Sequence, residues 1–246
     1  RTGAGWQAQE SVPEVDFNNG QTSQHIAIDS LNNVHVIFSG QGWGANPAQY
    51  SIQYRQRTGA GWQAQEDTVN VATHQYAEGI ALDSSDDAHI VFSGFGWGIW
   101  PAQRSIQYIK RVAGVWGGQE GVSNKNNEQR LSSIALDLGG NIHVSWTGKG
   151  YMPNWNRRNI QYRKRTAVGW QAQVEITNRP DDQWTPYLLW ANHPTVDGVK
   201  TNIPLTGCAV VYSGTLPAYN QIEYYYPVDL TWESPIPPTP IAINKS

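Results

Sequence analysis

The chain has 246 residues, of which 15% are charged, a formal net charge of −3 and one cysteine. That balance lacks the clustered Lys and Arg of a nucleic-acid groove, so nucleic acid is not an expected partner. No apolar run approaches the ~18 residues of a membrane-crossing helix, so no membrane insertion is expected, and a lone cysteine forms no internal disulfide. Aromatic usage is skewed, with 12 Trp and 12 Tyr against 4 Phe. Trp and Tyr pair an apolar face with a polar edge, which suits wet interfaces.

The string RTGAGWQAQE opens the chain at 1–10 and returns unchanged at 57–66; related strings stand at 111–120 (RVAGVWGGQE) and 165–174 (RTAVGWQAQV). Their starts are 57 − 1 = 56, 111 − 57 = 54 and 165 − 111 = 54 residues apart. A period of this length marks an array of supersecondary units, none able to bury its apolar face alone. Four segments with β character follow in each unit. The first is IAID at 26–29, IALD at 80–83 and IALD at 134–137, with YLLW at 187–190 as the drifted fourth copy. The second runs at 34–40, 88–94, 142–148 and 209–214, and the third at 51–57, 105–111, 159–165 and 221–227. The fourth surrounds Trp62, Trp116, Trp170 and Trp232, a series expected to pack between units. IQYRQR alternates as a half-buried strand does, whereas IALD and HIVFSG read as strands covered on both faces. SLNN, SSDD and LGGN between the first two segments are hairpin-turn residues.

Four antiparallel strands repeated every ~54 residues predict an all-β protein, a β-propeller of four blades. Residues 1–235 form its single domain, and 236–246 belong to a Pro-rich tail or linker. Trp6 heads a fifth copy of the Trp segment, so the N-terminal strand 1–10 is expected to close the ring at the outer edge of the fourth blade. The copy around Trp232, between Pro227 and Pro235, is then surplus. A larger ring completed by further sequence is the rival, and the start at Arg1 in mid-repeat suggests part of a longer chain or assembly.

IALDSSDDAHIVFSG followed by SIQYIKR resembles the repeat of sialidase-type and lectin-type bacterial and viral β-propellers. The resemblance implies a fold. The sialidase box S-x-D-x-G-x-T-W is absent in that form, so no activity is carried over.

His35, His89 and His143 each follow Asp29, Asp83 and Asp137 by six residues. A catalytic dyad is not needed three times, so these read as locks within each blade. Asp83, Asp86 and Asp87 lack the Gly and terminal Glu of a calcium loop and read as a solvated turn. Arg104, Arg130, Arg157 and Arg158 lie near loops but read as non-equivalent positions. Glu78, Glu128, Asp181 and Asp182 are scattered, so no catalytic residue, metal or cofactor is assigned. The loops between second and third strands are distinctive: GQGWGANPAQYS, GFGWGIWPAQRS and GKGYMPNWNRRN. They carry Trp43, Trp97 and Tyr151 at equivalent places, with Trp100 and Trp155 beside them. The blade-to-blade connections carry Gln21, Gln75, Gln129 and Gln183, spaced by 54. Aromatic plates beside amides on one rim are what sugar recognition requires, so these nine residues form the expected site of a lectin-like, glycan-binding module outside the cell or on a virion surface. A structural or adhesion propeller of an extracellular or phage assembly is the alternative, and a glycoside hydrolase of sialidase-like fold the second.

Overall fold

The β-branched and aromatic residues of each repeat build strands, and the repeat sets their order. The computed structural model describes residues 8, 10–13, 20–69, 71–123, 125–191, 195–196, 199–200, 207–215 and 220–225, with backbone alone from 189 onward. The first sheet holds β1 (Gln21–Ile28), β2 (Val34–Gly40), β3 (Ser51–Thr58), β4 (Gly61–Trp62) and β5 (Glu66–Val69). The second holds β6 (Gln75–Leu82), β7 (Ala88–Gly94), β8 (Ser105–Val112), β9 (Val115–Trp116) and β10 (Glu120–Gly121). The third holds β11 (Gln129–Leu136), β12 (Ile142–Gly148), β13 (Asn159–Thr166), β14 (Gly169–Trp170) and β15 (Val174–Glu175). Then come β16 (Gln183–Ala191), the hairpin β17 (Thr195–Val196) with β18 (Val199–Lys200), β19 (Gly207–Thr215) and β20 (Asn220–Tyr225). β16, β19 and β20 form the fourth sheet. Trp6, Trp232 and the 236–246 tail lie outside the described residues.

Within each of the first three sheets the leading three strands pair antiparallel in chain order. The expected fourth strand is split. β4 and β5 both pair with β3, as β9 and β10 do with β8, and β14 and β15 with β13. Amide pairs span the break: Gln65 Nε2 donates to Gln53 Oε1 at 3.2 Å, and Gln173 Nε2 to Gln161 Oε1 at 2.9 Å. The turns after the first strands use positive φ at Asn32 (63°), Asp86 (61°) and Gly140 (73°).

Apolar faces meet between successive sheets. Ile37, Ile52 and Tyr54 of the first sheet share a core with Ala77, Ile90 and Phe92 of the second; Val91, Ile106 and Tyr108 share one with Ile134, Val144 and Trp146 of the third. Leu188 of the fourth packs with Ile160 and Tyr162 of the third. The first strands lie innermost, and each is bulged, with register shifts at Thr22/His25, Ala77/Gly79, Arg130/Ser133 and Trp184/Tyr187. Amides at and beside these bulges bond across sheets. Ala77 N donates to Ser39 Oγ (2.7 Å), Ser132 N to Glu78 Oε2 (2.7 Å) and Leu188 N to Ser133 Oγ (3.0 Å).

Two further devices recur. Each Asp–His pair is a triad with a tyrosine: His89 Nε2 meets Asp83 Oδ2 at 3.1 Å and Nδ1 meets Tyr108 OH at 2.7 Å. Asp29–His35–Tyr54 and Asp137–His143–Tyr162 repeat the arrangement. With its proton on Nε2, the ring donates to the carboxylate and accepts from the phenol. The second device clamps neighbouring sheets. Arg111 holds Glu66 through Nε (2.9 Å) and Nη2 (2.5 Å), while Trp116 Nε1 donates to the same carboxylate (2.7 Å). Arg165, Trp170 and Glu120 do the same one sheet later. Trp116 and Trp170 also stand edge-on to Tyr54 and Tyr108 of the preceding sheets.

Arg57 holds Glu10 with the same two-pronged geometry, at 2.7 and 2.6 Å. Residues 10–13 therefore stand against the first sheet as β5 stands against the second. Among the described residues no sheet is closed, and Ile26 of β1 is 64% exposed where its equivalent Ile134 is 8% exposed. The architecture is all-β and propeller-like, its sheets stacked around their innermost strands.

Candidate functional site

The loops after β2, β7 and β12 and the connections between sheets emerge on one rim, because Gln75 at the start of β6 pairs with Gly94 at the end of β7. Glycine shapes the second loop: φ is +88° at Gly96 and +65° at Gly98, a region that only glycine enters without cost. Gly96 N closes the loop onto Pro101 O at 2.9 Å. Trp97 between them donates its Nε1–H to Gln75 Oε1 (2.7 Å) and stands edge-on to Phe92 (6.2 Å between centroids). Its edge is fixed while the residue stays half-buried. Trp100, three residues on, is 41% exposed.

Trp97 and Trp100 line a groove of about 320 Å³ between the second and third sheets. Its other lining side chains are Ser105, Gln107, Gln119, Ser123, Lys125 and Arg163. Gln107 is buried and donates to Ser105 Oγ (2.9 Å), and Ser123 Oγ accepts from Ile106 N (2.8 Å), so the floor is rigid. Gln119 is exposed at the edge. Arg163 reaches in from β13, held by Nε to Gln171 O (2.7 Å) and Nη1 to Val122 O (2.8 Å).

The other expected residues are placed differently. Trp43 is half-buried in the first repeat and lines no part of this groove. Tyr151 is buried, its hydroxyl donating to Gln129 Oε1 at 3.1 Å, and Trp155 is 58% exposed at the tip of the third loop. Gln75, Gln129 and Gln183 are fully buried at the starts of their strands. Gln75 Nε2 donates to Thr73 O, Thr73 Oγ1 and Phe95 O, and Gln129 Nε2 to Asn127 O and Lys149 O. Gln183 Nε2 donates to Asp181, and half-buried Gln21 donates to Gln41 O at 3.4 Å. So placed, the first three amides hold loops and present no group at the surface. A Cβ on Gly40, Gly94 or Gly148 would collide with Gln21, Gln75 or Gln129, which accounts for the glycine closing each second strand.

Lys125, Arg163, Gln107 and Gln119 were not among the residues singled out from the sequence. The amides carried a signal, since Gln53, Gln107 and Gln161 are spaced by 54, as are Gln65, Gln119 and Gln173.

A second cluster surrounds the rim end of the innermost strands. Arg104 and Arg158, read from the sequence as non-equivalent, are equivalents, since 158 − 104 = 54. Their guanidiniums lie over Tyr76 (4.2 Å) and Trp184 (4.3 Å), and Arg130 also lies 5.2 Å from the Trp184 ring. Burial, and then the charges of Arg158 and Arg104, draw the Arg130 pKa below its ordinary value against the pull of Glu128. Tyr50, His74 and Tyr76 form an aromatic group, with Tyr50 N donating to His74 Nδ1 at 3.1 Å. Glu78 is committed elsewhere, accepting from Ser93, Arg104, Leu131 N, Ser132 N and Ser132 Oγ. Below the cluster a channel of about 520 Å³ is lined by residues of β1, β6, β11 and β16. Among the described residues no group of three His, Cys, Asp or Glu is placed to hold a metal ion.

No protein-family model matches the chain, and no curated protein matches its sequence. Among solved structures it is similar to a polysaccharide lyase, an ulvan lyase bound to -[GlcA(1-4)Rha3S]-, at 12% identity and a TM-score of 0.56. The match covers 92% of this chain and 59% of the lyase, so the chain spans well under two thirds of that enzyme's length. A second structure of an ulvan lyase gives 11% identity and the same TM-score of 0.56. An exo-1,5-α-L-arabinanase from a bovine ruminal metagenomic library matches over 84% of this chain and 73% of its own, at 11% identity and a TM-score of 0.45. At these identities the likeness to the lyase is one of fold.

Proposed function

We propose that the protein binds carbohydrate on its loop rim, in the groove of Trp97 and Trp100. The carrying observation is that groove: an indole pinned by its N–H, a second indole exposed beside it, and amides and hydroxyls on a rigid floor. Aromatic faces stack on the C–H face of a pyranose while amides meet its hydroxyls, and about 320 Å³ falls at the small end of ligand pockets. The ulvan lyase that shares the fold holds a sugar chain, which accords with this reading. The sheets would form a four-bladed ring with residues 10–13 in its closing outer strand; the Glu10–Arg57 clamp supports that arrangement. A glycan array followed by titration calorimetry tests the binding. One site per chain, weakened about fivefold in Trp100→Ala, is the expected result; no retained glycan would refute it.

A second reading, glycan cleavage at the channel mouth, is favoured by the Tyr50–His74–Tyr76–Arg104 cluster. With Nδ1 accepting from Tyr50 N, a neutral His74 carries its proton on Nε2, beside two phenols and a guanidinium. Turnover of an oligosaccharide abolished by His74→Ala would establish that reading; binding without turnover leaves the groove alone as the functional element.

A further inference from the structure

The lining of the groove carries positive charge and no carboxylate. Of its lining residues, Lys125 and Arg163 are cationic and none is acidic. Arg57, Arg111 and Arg165 each grip a carboxylate. Arg163, two residues before Arg165 on β13, grips two backbone carbonyls, and among the described residues it forms no ion pair. It lies 5.7 Å from the Trp170 ring and is half-buried, and burial lowers its pKa with no acid to offset the effect. Lys125 likewise forms no ion pair among the described residues; its Nζ sits 4.9 Å from the Tyr151 ring. Glu175 lies outside the groove lining, and its pKa is raised by burial against a hydrogen bond from Gln161 and the charge of Lys125. Half-desolvated cations that form no ion pair are costly, and an anionic ligand would offset that cost.

We infer that the Trp97–Trp100 groove takes an anionic sugar, its pyranose stacked on tryptophan and its carboxylate or sulfate directed toward Lys125 and Arg163. The inference rests on the carbohydrate reading and adds the ligand's charge. Dipoles and aromatic faces hold both cations in place, so neither must leave a protein carboxylate before meeting the ligand. The groove lies between two sheets and shares no lining residue with the channel, Arg104 included. In the first repeat Arg55 stands where Arg163 does in the third, whereas Ile109 stands there in the second. The two cations and two tryptophans meet only at the junction of the second and third sheets.

Three probes separate the possibilities by calorimetry on the full chain: a hexagalacturonate, its carboxyl-reduced neutral counterpart, and a sulfated carrageenan hexasaccharide. At least one anionic probe is expected to bind tenfold or more tighter than the neutral one, and less tightly as salt rises. Whichever binds better tells a carboxylate site from a sulfate site. Lys125→Gln is expected to weaken the anionic probe three- to tenfold more than the neutral probe, with an unaltered circular dichroism spectrum and melting temperature. Arg163→Gln tests the second cation under the same folding controls. Equal affinity for charged and neutral probes, both weakened in Trp100→Ala, would overturn the anionic inference and keep the carbohydrate reading. Anionic binding indifferent to Lys125→Gln and Arg163→Gln would overturn it too, and binding of none of the three would overturn both.

Discussion

The second and third repeats start from similar loops, GFGWG and GKGYM, and put their aromatic residues to different uses. In the second repeat the buried acceptor, Gln75 Oε1, takes its bond from Trp97, so the loop indole comes to rest beside a groove. In the third, the acceptor on Gln129 is met by Trp146 from within β12 at 2.8 Å and by the Tyr151 hydroxyl. Phe92 holds the place of Trp146 in the second repeat and has no N–H to give. The loop aromatic bonds the glutamine in both repeats, and the strand position supplies a second donor only in the third. Equivalent positions in a repeat share geometry, and their burial is set by what the neighbours already satisfy.

The severest test of that difference is Trp146→Ala. Trp146 is fully buried, and removing it opens a cavity and leaves Gln129 Oε1 with the Tyr151 hydroxyl alone. A loss of about 3–5 kcal/mol is expected, with a melting temperature lower by about 10 °C. Sugar binding in the groove should persist below the transition. A loss under about 1 kcal/mol would mean that Trp146 does not anchor the third repeat.

Acid should act on both repeats alike, because they share the triad. Burial works to raise the Asp29 and Asp137 carboxyls, but hydrogen bonds from asparagine, histidine and backbone N–H outweigh it and hold both at about 2. Asp83 is lowered further, against the same burial, by bonds from His89, Lys110 and backbone N–H. Burial likewise lowers His89 and His143, keeping them neutral in the fold. An unfolded histidine takes up its proton near pH ~6.5 and an unfolded aspartate near ~3.9, so both groups favour unfolding as pH falls. The melting temperature should be level above about pH 7, decline below ~6.5 and fall faster below ~4. His143→Gln should flatten the upper part of that decline. A profile that instead rises on acidification would show that the triads do not hold the sheets as drawn.

The period of 54 made the strands, the hairpin turns and the Asp–His pairing legible, since each depends on residues that recur at fixed spacing. The split fourth strand was less so. Its break depends on Gln65, Gln119 and Gln173 turning back to partners on the previous strand, a contact that reads in sequence as ordinary polar alternation. Gln75 and Gln129 were seen as recurring but placed on the surface, because the space that buries them comes from the missing Cβ of Gly94 and Gly148 on the neighbouring strand. The groove was legible in its tryptophans and hidden in its cations. Lys125 and Arg163 come from different segments and meet only when the second and third sheets pack.

Conservative changes at the two loop aromatics sharpen the comparison. Trp97→Phe and Tyr151→Phe each remove one bond to a buried glutamine oxygen, at about 1 kcal/mol. Trp146 still serves Gln129 in the second variant, so Tyr151→Phe should cost the less of the two. Sugar affinity should fall only for Trp97→Phe, whose ring loses the tether that sets its angle to the groove. Calorimetry and thermal melts on both variants check this pairing. Affinity falling equally in both would mean that the two loops act as one surface.

The smallest expected effect on stability belongs to Trp100→Ala, and it isolates binding from folding. Trp100 is 41% exposed, and its backbone carbonyl, which accepts from Gln103 N at 2.9 Å, survives the change. Its removal should shift stability by no more than about 0.5 kcal/mol, as for surface positions that support no packing. A stacked aromatic contributes ~1 kcal/mol to recognition, so affinity for a groove ligand should fall about fivefold. Trp155→Ala in the third repeat is the matched control, because Trp155 is also exposed but stands outside the groove. If both changes weaken binding equally, the ligand spans the rim, and the difference between the repeats is one of interior packing alone. If only Trp100→Ala does, the junction of the second and third sheets is where this array of near-identical units becomes specific.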